Sequence, residues 1–336
     1  TRRRAETCLR LLHDDPPDVF MTVFTGTDRL AHEFWPTITA GCPLDDPLGP
    51  PLRAYFSDLD AFIGQLISAA GKEVQVIVMS DHGFGPAPRR RFAPNRWLLV
   101  RGLLRTKDET ASRGLRYRLG SVAARLRRVR AALRRLLPDR WLDQAGRAIY
   151  EDIAAGVDWD RTQAFFTPLY GSVGGISLNV AGQRPHGIVQ AGVASDALSE
   201  EIVSALGEVV DPSTGKCIVQ RVGRREDLYH GPKLDNFPEV VFVLDPAYNA
   251  HGTLLGDDVV GATPYRPREG EHRPEGILLM RGPKMRRGKQ LAPARIEDVL
   301  PTILYALGLE IPDDVDGRVL TEAYDQAFRV AQPIQT

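Results

Sequence analysis

One stretch limits the possible folds more than any other. It is Val74-Gln75-Val76-Ile77-Val78-Met79-Ser80-Asp81-His82-Gly83-Phe84-Gly85-Pro86. The apolar, β-branched run predicts a buried strand of an α/β sheet. The polar pair then falls just past the strand's carboxyl end, where open α/β sheets place their ligands. Asp and neutral His both suit zinc-like cations. Taken alone, a strand ending in Asp81-His82 reads as a turn cap as readily as a metal site.

The 336 residues suffice for one large α/β domain or two ordinary ones. With 43% hydrophobic and 26% charged residues, the composition is that of a globular chain with a sizeable core. The formal net charge is zero, so no global field draws the chain to nucleic acid or an anionic membrane. Cys8, Cys42 and Cys217 are too widely spaced for a disulfide framework or a paired-thiol zinc site, which fits a reducing, cytoplasmic setting. The chain opens on Thr1-Arg2-Arg3-Arg4 and runs directly into a helical pattern, as the interior of a longer protein would.

Helical spacing is expected over 5–13, 52–70, 195–210 and 296–307, the last stopped by Gly308, and strands at 18–24, 74–79, 164–170, 175–180, 217–222, 240–244 and 276–280. Strand 18–24, helix 52–70 and strand 74–79 in that order argue for a mainly parallel sheet with crossover helices. Residues 245–275 show no periodicity and read as a long functional loop. Residues 104–150 form a basic helical insertion: eleven Arg and two acidic residues lie between Ala111 and Arg147. Its apolar stripe runs from Leu115 through Leu126 to Leu136 at heptad-like spacing. That stripe suits packing on the main body, with a solvated Arg face. A lid over anionic substrate, a membrane-surface helix and a dimer seam are the sharper readings. Without interleaved aromatics it offers no nucleic-acid platform.

The chemistry sits in three places. Asp28-Arg29-Leu30-Ala31-His32 puts two ligand types at i and i+4, one face of a helix. Asp81-His82 follows a strand, and His272 in Gly270-Glu271-His272 precedes another. His230, Tyr229 and His251 read first as loop packing groups, and the region of Asp298, Pro301 and Asp316 as a packing helix and turn.

Asp28-x-x-x-His32, Ser80-Asp81-His82-Gly83 and Gly270-x-His272 together resemble the metal signature of the alkaline phosphatase superfamily. Within it, the type I phosphodiesterase/nucleotide pyrophosphatase branch and its bacterial phosphohydrolase/phosphomutase relatives are most similar. Asn95-Arg96-Trp97-Leu98, Gly175-Ile176-Ser177-Leu178-Asn179, Arg225-Glu226-x-x-Tyr229-His230-Gly231-Pro232, Ile296 to Leu304 and Asp316-Gly317-Arg318 extend the likeness. The resemblance implies an alkaline-phosphatase-like α/β core over 1–103 and 151–330. It also implies two divalent ions, zinc or manganese, and a small anionic phosphate-ester substrate. By the same resemblance Asp28, His32 and His272 hold one ion, and Asp81 and His82 the second. The family's Thr or Ser nucleophile and one further Asp are not found in the 27 residues before Asp28, so both are expected upstream of this chain. One well-held ion and little turnover are then expected of it. A sulfatase or phosphomutase relative, and a non-catalytic member of the fold, are the alternatives.

Overall fold

The computed structural model describes residues 1–107, 156–254, 258–263 and 268–334. The basic insertion and its apolar stripe lie almost wholly outside the described residues. In chain order the described elements begin with helices α1 (Arg2–Asp14), α2 (Gly26–Thr39) and α3 (Gly49–Ala70). Strands β1 (Val76–Met79), β2 (Gly83–Pro86) and β3 (Arg90–Phe92) and helix α4 (Pro94–Val100) follow. Next come β4 (Ala164–Pro168), β5 (Val173–Leu178), α5 (Val193–Gly207), β6 (Val219–Arg224), α6 (Arg225–Leu228) and β7 (Val240–Leu244). Then come β8 (Tyr248–Ala250), β9 (Val260–Ala262), β10 (Gly270–Arg273), β11 (Leu278–Arg281), α7 (Val299–Leu307) and α8 (Gln326–Ala331).

The chain divides into two compact units, Thr1–Ala87 with Pro267–Thr336, and Pro88–Arg266. In the first, β1 pairs with β11 and β2 with β10, both antiparallel. Its apolar cluster gathers Met285, Tyr305, Ile311, Val319, Tyr324 and Phe328. Gly308 takes a left-handed conformation (φ 71°) and ends α7, the C-terminal stop that its sequence position predicts. In the second unit, β4-β5-β7-β6 form an antiparallel sheet, and β8-β3-β9 a smaller one. Phe92, Phe166, Ile176, Ile202 and Phe242 belong to its core.

The architecture is mixed α/β, but the expectation of a mainly parallel sheet is wrong. Among the named strands only β3 and β8 run parallel. The crossover argument needed a strand at 18–24, and that segment pairs with no strand among the described residues. Met21 is 85% exposed there, so the apolar pattern is present without burial in a sheet. Elsewhere connections are short: β4 and β5 are joined by four residues, which permits only an antiparallel hairpin. The supposed loop 245–275 carries β8, β9 and β10, strands of three or four residues that are too short to show a period.

Several motif residues turn out to tie backbone. Asn95 Nδ2 donates to the Gly252 carbonyl (2.8 Å), while its Oδ1 accepts from the Phe166 amide (2.8 Å). Asn179 Nδ2 lies within 2.9 Å of the Trp159, Thr162 and His186 carbonyls. Asp298 is buried and accepts from the amides of Arg295 and Arg318 (both 2.8 Å). Each satisfies polar groups that would be costly to bury unpaired.

Candidate metal centre

The first unit assembles its polar cluster by bringing a helix against a strand. Asp28 and His32 lie on α2 at i and i+4, so both side chains leave one face. Gly270 opens β10, and a Cβ there would collide with the Ala31 carbonyl and the Trp35 side chain. Only glycine lets β10 come this close to α2. The Glu269 amide donates to the His32 carbonyl (2.7 Å) and locks the contact. Strand alternation then puts His272 on the same face as Gly270, toward α2. Gly83 does the equivalent beside His82: a Cβ there would strike the Glu275 carbonyl.

His272 Nε2 lies 2.9 Å from His32 Nε2 and 3.0 Å from Asp28 Oδ1, and His32 Nε2 lies 3.4 Å from the same Oδ1. A zinc ion with bonds of about 2.0–2.1 Å in tetrahedral geometry sets neighbouring donor atoms about 3.3 Å apart. The triangle is close to that size, and one carboxylate with two imidazoles is a donor set that zinc accepts. His32 Nδ1 donates to the Gly270 carbonyl (2.9 Å), which fixes the tautomer that leaves the Nε2 lone pair for a ligand. His82 Nδ1 donates in the same way to the Gly83 carbonyl (3.0 Å).

Burial pushes the His272 imidazole below its usual range. The hydrogen bond to Asp28 opposes this, and nearby His82 and His32 reinforce it. The neutral ring is the form that binds cations. The edge of Phe84 meets both His32 and His272, with centroids 4.8 and 5.2 Å apart.

His82 stacks on His272 at 3.7 Å between centroids, and its Nε2 lies 3.7 Å from Asp28 Oδ1 and 3.6 Å from Asp81 Oδ1. The five expected ligands are thus neighbours, but unequally so. Asp28, His32 and His272 offer three donor atoms within 4.8 Å of one another. Asp81 stands apart, its side chain 79% exposed.

Arg268 was not anticipated. Its Nη1 lies 3.1 Å from His32 Nε2 and 3.4 Å from His32 Nδ1, so the guanidinium stands over the imidazole and brings a positive charge to the cluster. The alternation Arg268-x-Gly270-x-His272 was the available signal, since period two puts all three on one face. Arg268→Ala is expected to raise zinc affinity several-fold, because it removes a like charge beside the cluster. Competition against a chromophoric chelator measures this, and unchanged or weaker affinity would count against that role.

Residues 1–161 match the family model described as type I phosphodiesterase / nucleotide pyrophosphatase. This segment is type I phosphodiesterase/nucleotide pyrophosphatase-like. The phosphodiesterase-like segment carries Asp28, His32, Asp81 and His82, whereas His272 lies beyond it. Among solved structures, human ectonucleotide pyrophosphatase / phosphodiesterase 5 aligns with 97% of this chain and 64% of its own. The identity is 12% and the TM-score 0.47. The murine protein of the same name aligns over 94% and 61%, at 16% identity and a TM-score of 0.47. The chain therefore spans less than two thirds of either structure's own length. No curated protein matches the chain.

Proposed function

We propose that Asp28, His32 and His272 hold a divalent cation, zinc in preference to manganese, at the centre of a metal-dependent phosphate-ester hydrolase site. One observation carries the proposal: a carboxylate and two imidazoles converge within 4.8 Å, and two of these three residues lie in the phosphodiesterase-like segment. An ion there supplies Lewis acidity toward a phosphoryl oxygen and lowers the pKa of an oxygen nucleophile. The Gly270 carbonyl holds His32 in register, and Phe84 packs against the His32 ring. Arg268, once free of His32, brings a guanidinium suited to phosphoryl oxygens. Asp81 and His82 are assigned to a second, weaker ion, since the pair offers two donors and Asp81 faces solvent.

Two hydroxyls near the ligands in sequence are engaged with backbone. Thr27 Oγ1 donates to the Phe24 carbonyl (3.2 Å), and Ser80 Oγ accepts from the Ile277 amide (2.9 Å). Neither is poised to attack, so slow turnover is expected of this chain with bis-p-nitrophenyl phosphate. Zinc content and adenosine monophosphate binding provide the test. One tightly held zinc per chain is expected, together with nucleotide binding that vanishes on chelation. Arg268→Ala should weaken the nucleotide while tightening the metal. Absence of zinc after loading would sink the metal site. Zinc without zinc-dependent nucleotide binding would sink the phosphoester reading alone.

A further inference from the structure

The second unit contains an open cleft of about 480 Å³ that the metal centre does not use. That volume suits a small organic ligand. Three parts of the unit form it: the end of α4, the end of α5 with the chain just after it, and β9 with the residues that lead into it. Trp97, Val209 and Val260 are buried and give the cleft an apolar floor. Arg101, Glu208 and Asp258 line it from exposed positions at the rim.

The rim charges do not cancel. Arg101 follows Trp97 by one turn at the end of α4, and its guanidinium sits over the indole ring, 5.0 Å from the centroid. That cation is therefore engaged with the floor. Glu208 is the C-cap of α5, a helix with no basic residue in its last turn. A carboxylate there adds to the negative end of the helix dipole, where a cation is the favoured neighbour. Asp258 approaches from the β9 side. Gly261 leaves room for it, since a Cβ there would lie 3.3 Å from Asp258 Oδ2. Neither Glu208 nor Asp258 forms an ion pair among the described residues. Two unpaired carboxylates and a helix C-terminus outweigh one guanidinium, so the field in the cleft is negative.

We propose that this cleft binds a small organic amine, an ammonium group carried on an apolar body. The apolar body lies on the floor of Trp97, Val209 and Val260 and is removed from water there. The ammonium meets Glu208 and Asp258. It has three donors and no acceptor, which fits a rim whose two unpaired groups are both acceptors. The site is built only from residues of the second unit and stands whether or not the metal centre holds an ion.

Phenethylamine, titrated into the full chain, provides the test, with phenethyl alcohol and hydrocinnamate as neutral and anionic controls of similar size. The readout is the Trp97 indole N–H signal in the proton–nitrogen correlation spectrum, assigned by its loss in Trp97→Phe. A saturable shift with the amine is expected, unchanged by zinc loading and weakened as salt rises. The alcohol should bind about tenfold more weakly, as loss of a charge-assisted hydrogen bond does, and the acid should not bind. Glu208→Gln combined with Asp258→Asn should weaken the amine by about tenfold, whereas Arg101→Gln, which removes a like charge, should tighten it. Arg101→Gln is the informative variant if the double substitution loses its native circular dichroism. Absence of a saturable shift, alcohol or acid binding as tight as the amine's, or amine binding that requires zinc would each overturn the proposal. So would undiminished amine affinity in a folded double variant, or weaker amine binding in a folded Arg101→Gln.

Discussion

His272→Ala is expected to lower zinc affinity by about a hundredfold or more. Groups that merely orient ligands cost about 10–100-fold when removed, and His272 is expected to be a donor itself. Its Nε2 is the atom nearest to both other donors, at 2.9 and 3.0 Å. Without it, a helix pair at i and i+4 is all that remains of the triangle, and two ligands hold zinc poorly. Substitution also removes a ring stacked on His82 and edge-packed on Phe84, so part of any effect is packing. Asp28→Asn separates the two contributions. It preserves shape and contacts but removes the negative charge, and affinity is expected to fall while thermal stability holds. Competitive zinc titration of both variants is the measurement. Zinc held by His272→Ala as tightly as by the unsubstituted chain would mean that these residues are not the ligands.

Asp211→Ala is expected to destabilise the second unit by about 3–5 kcal/mol at neutral pH, the cost of removing one partner of a buried ion pair. Asp211 is fully buried. Its Oδ1 accepts from Arg90 Nη2 (2.6 Å), the Ser213 amide (2.8 Å) and the Ser213 hydroxyl (2.7 Å). Its Oδ2 accepts from the Tyr248 hydroxyl (2.8 Å) and pairs with Arg90 Nε. Burial pushes this carboxyl upward, but the hydrogen bonds from Ser213, Tyr248 and Arg90 outweigh it, and the group ends far below its ordinary 3.8. In the window between those two values the unfolded chain binds the extra proton, so stability falls as the pH falls. The contribution of Asp211 is therefore fully present above about pH 5 and is lost progressively below the ordinary carboxylate value. Urea denaturation from pH 7 down to pH 3 reads both effects. A variant as stable as the parent at pH 7, or one with the same acid slope, would contradict this account.

The same contacts explain what could be read without coordinates. Asp28 with His32, and Asp81 with His82, are legible because ligand pairs at i and i+4 or past a strand end carry their geometry in their spacing. Helices α3 and α5, strands β4 to β7 and the stop at Gly308 are equally local, written in periodicity and in one left-handed glycine. Asn95, Asn179 and Asp298 stood out as motif residues, but their role in bridging backbone segments far apart in sequence appears only once the partners are seen.

Sequence by itself therefore determined most of the local elements, the candidate ligand types and the family likeness of the phosphodiesterase-like segment. Tertiary structure alone decided which strands pair, and it made them mostly antiparallel, because pairing depends on partners far along the chain and not on the pattern within a strand. It also decided that His272, 240 residues from His32, comes within 2.9 Å of it, completing the triangle proposed to hold a cation. Gly270 makes that approach possible by having no side chain where β10 meets α2. The placement of Arg268 against His32 follows from the same long-range packing.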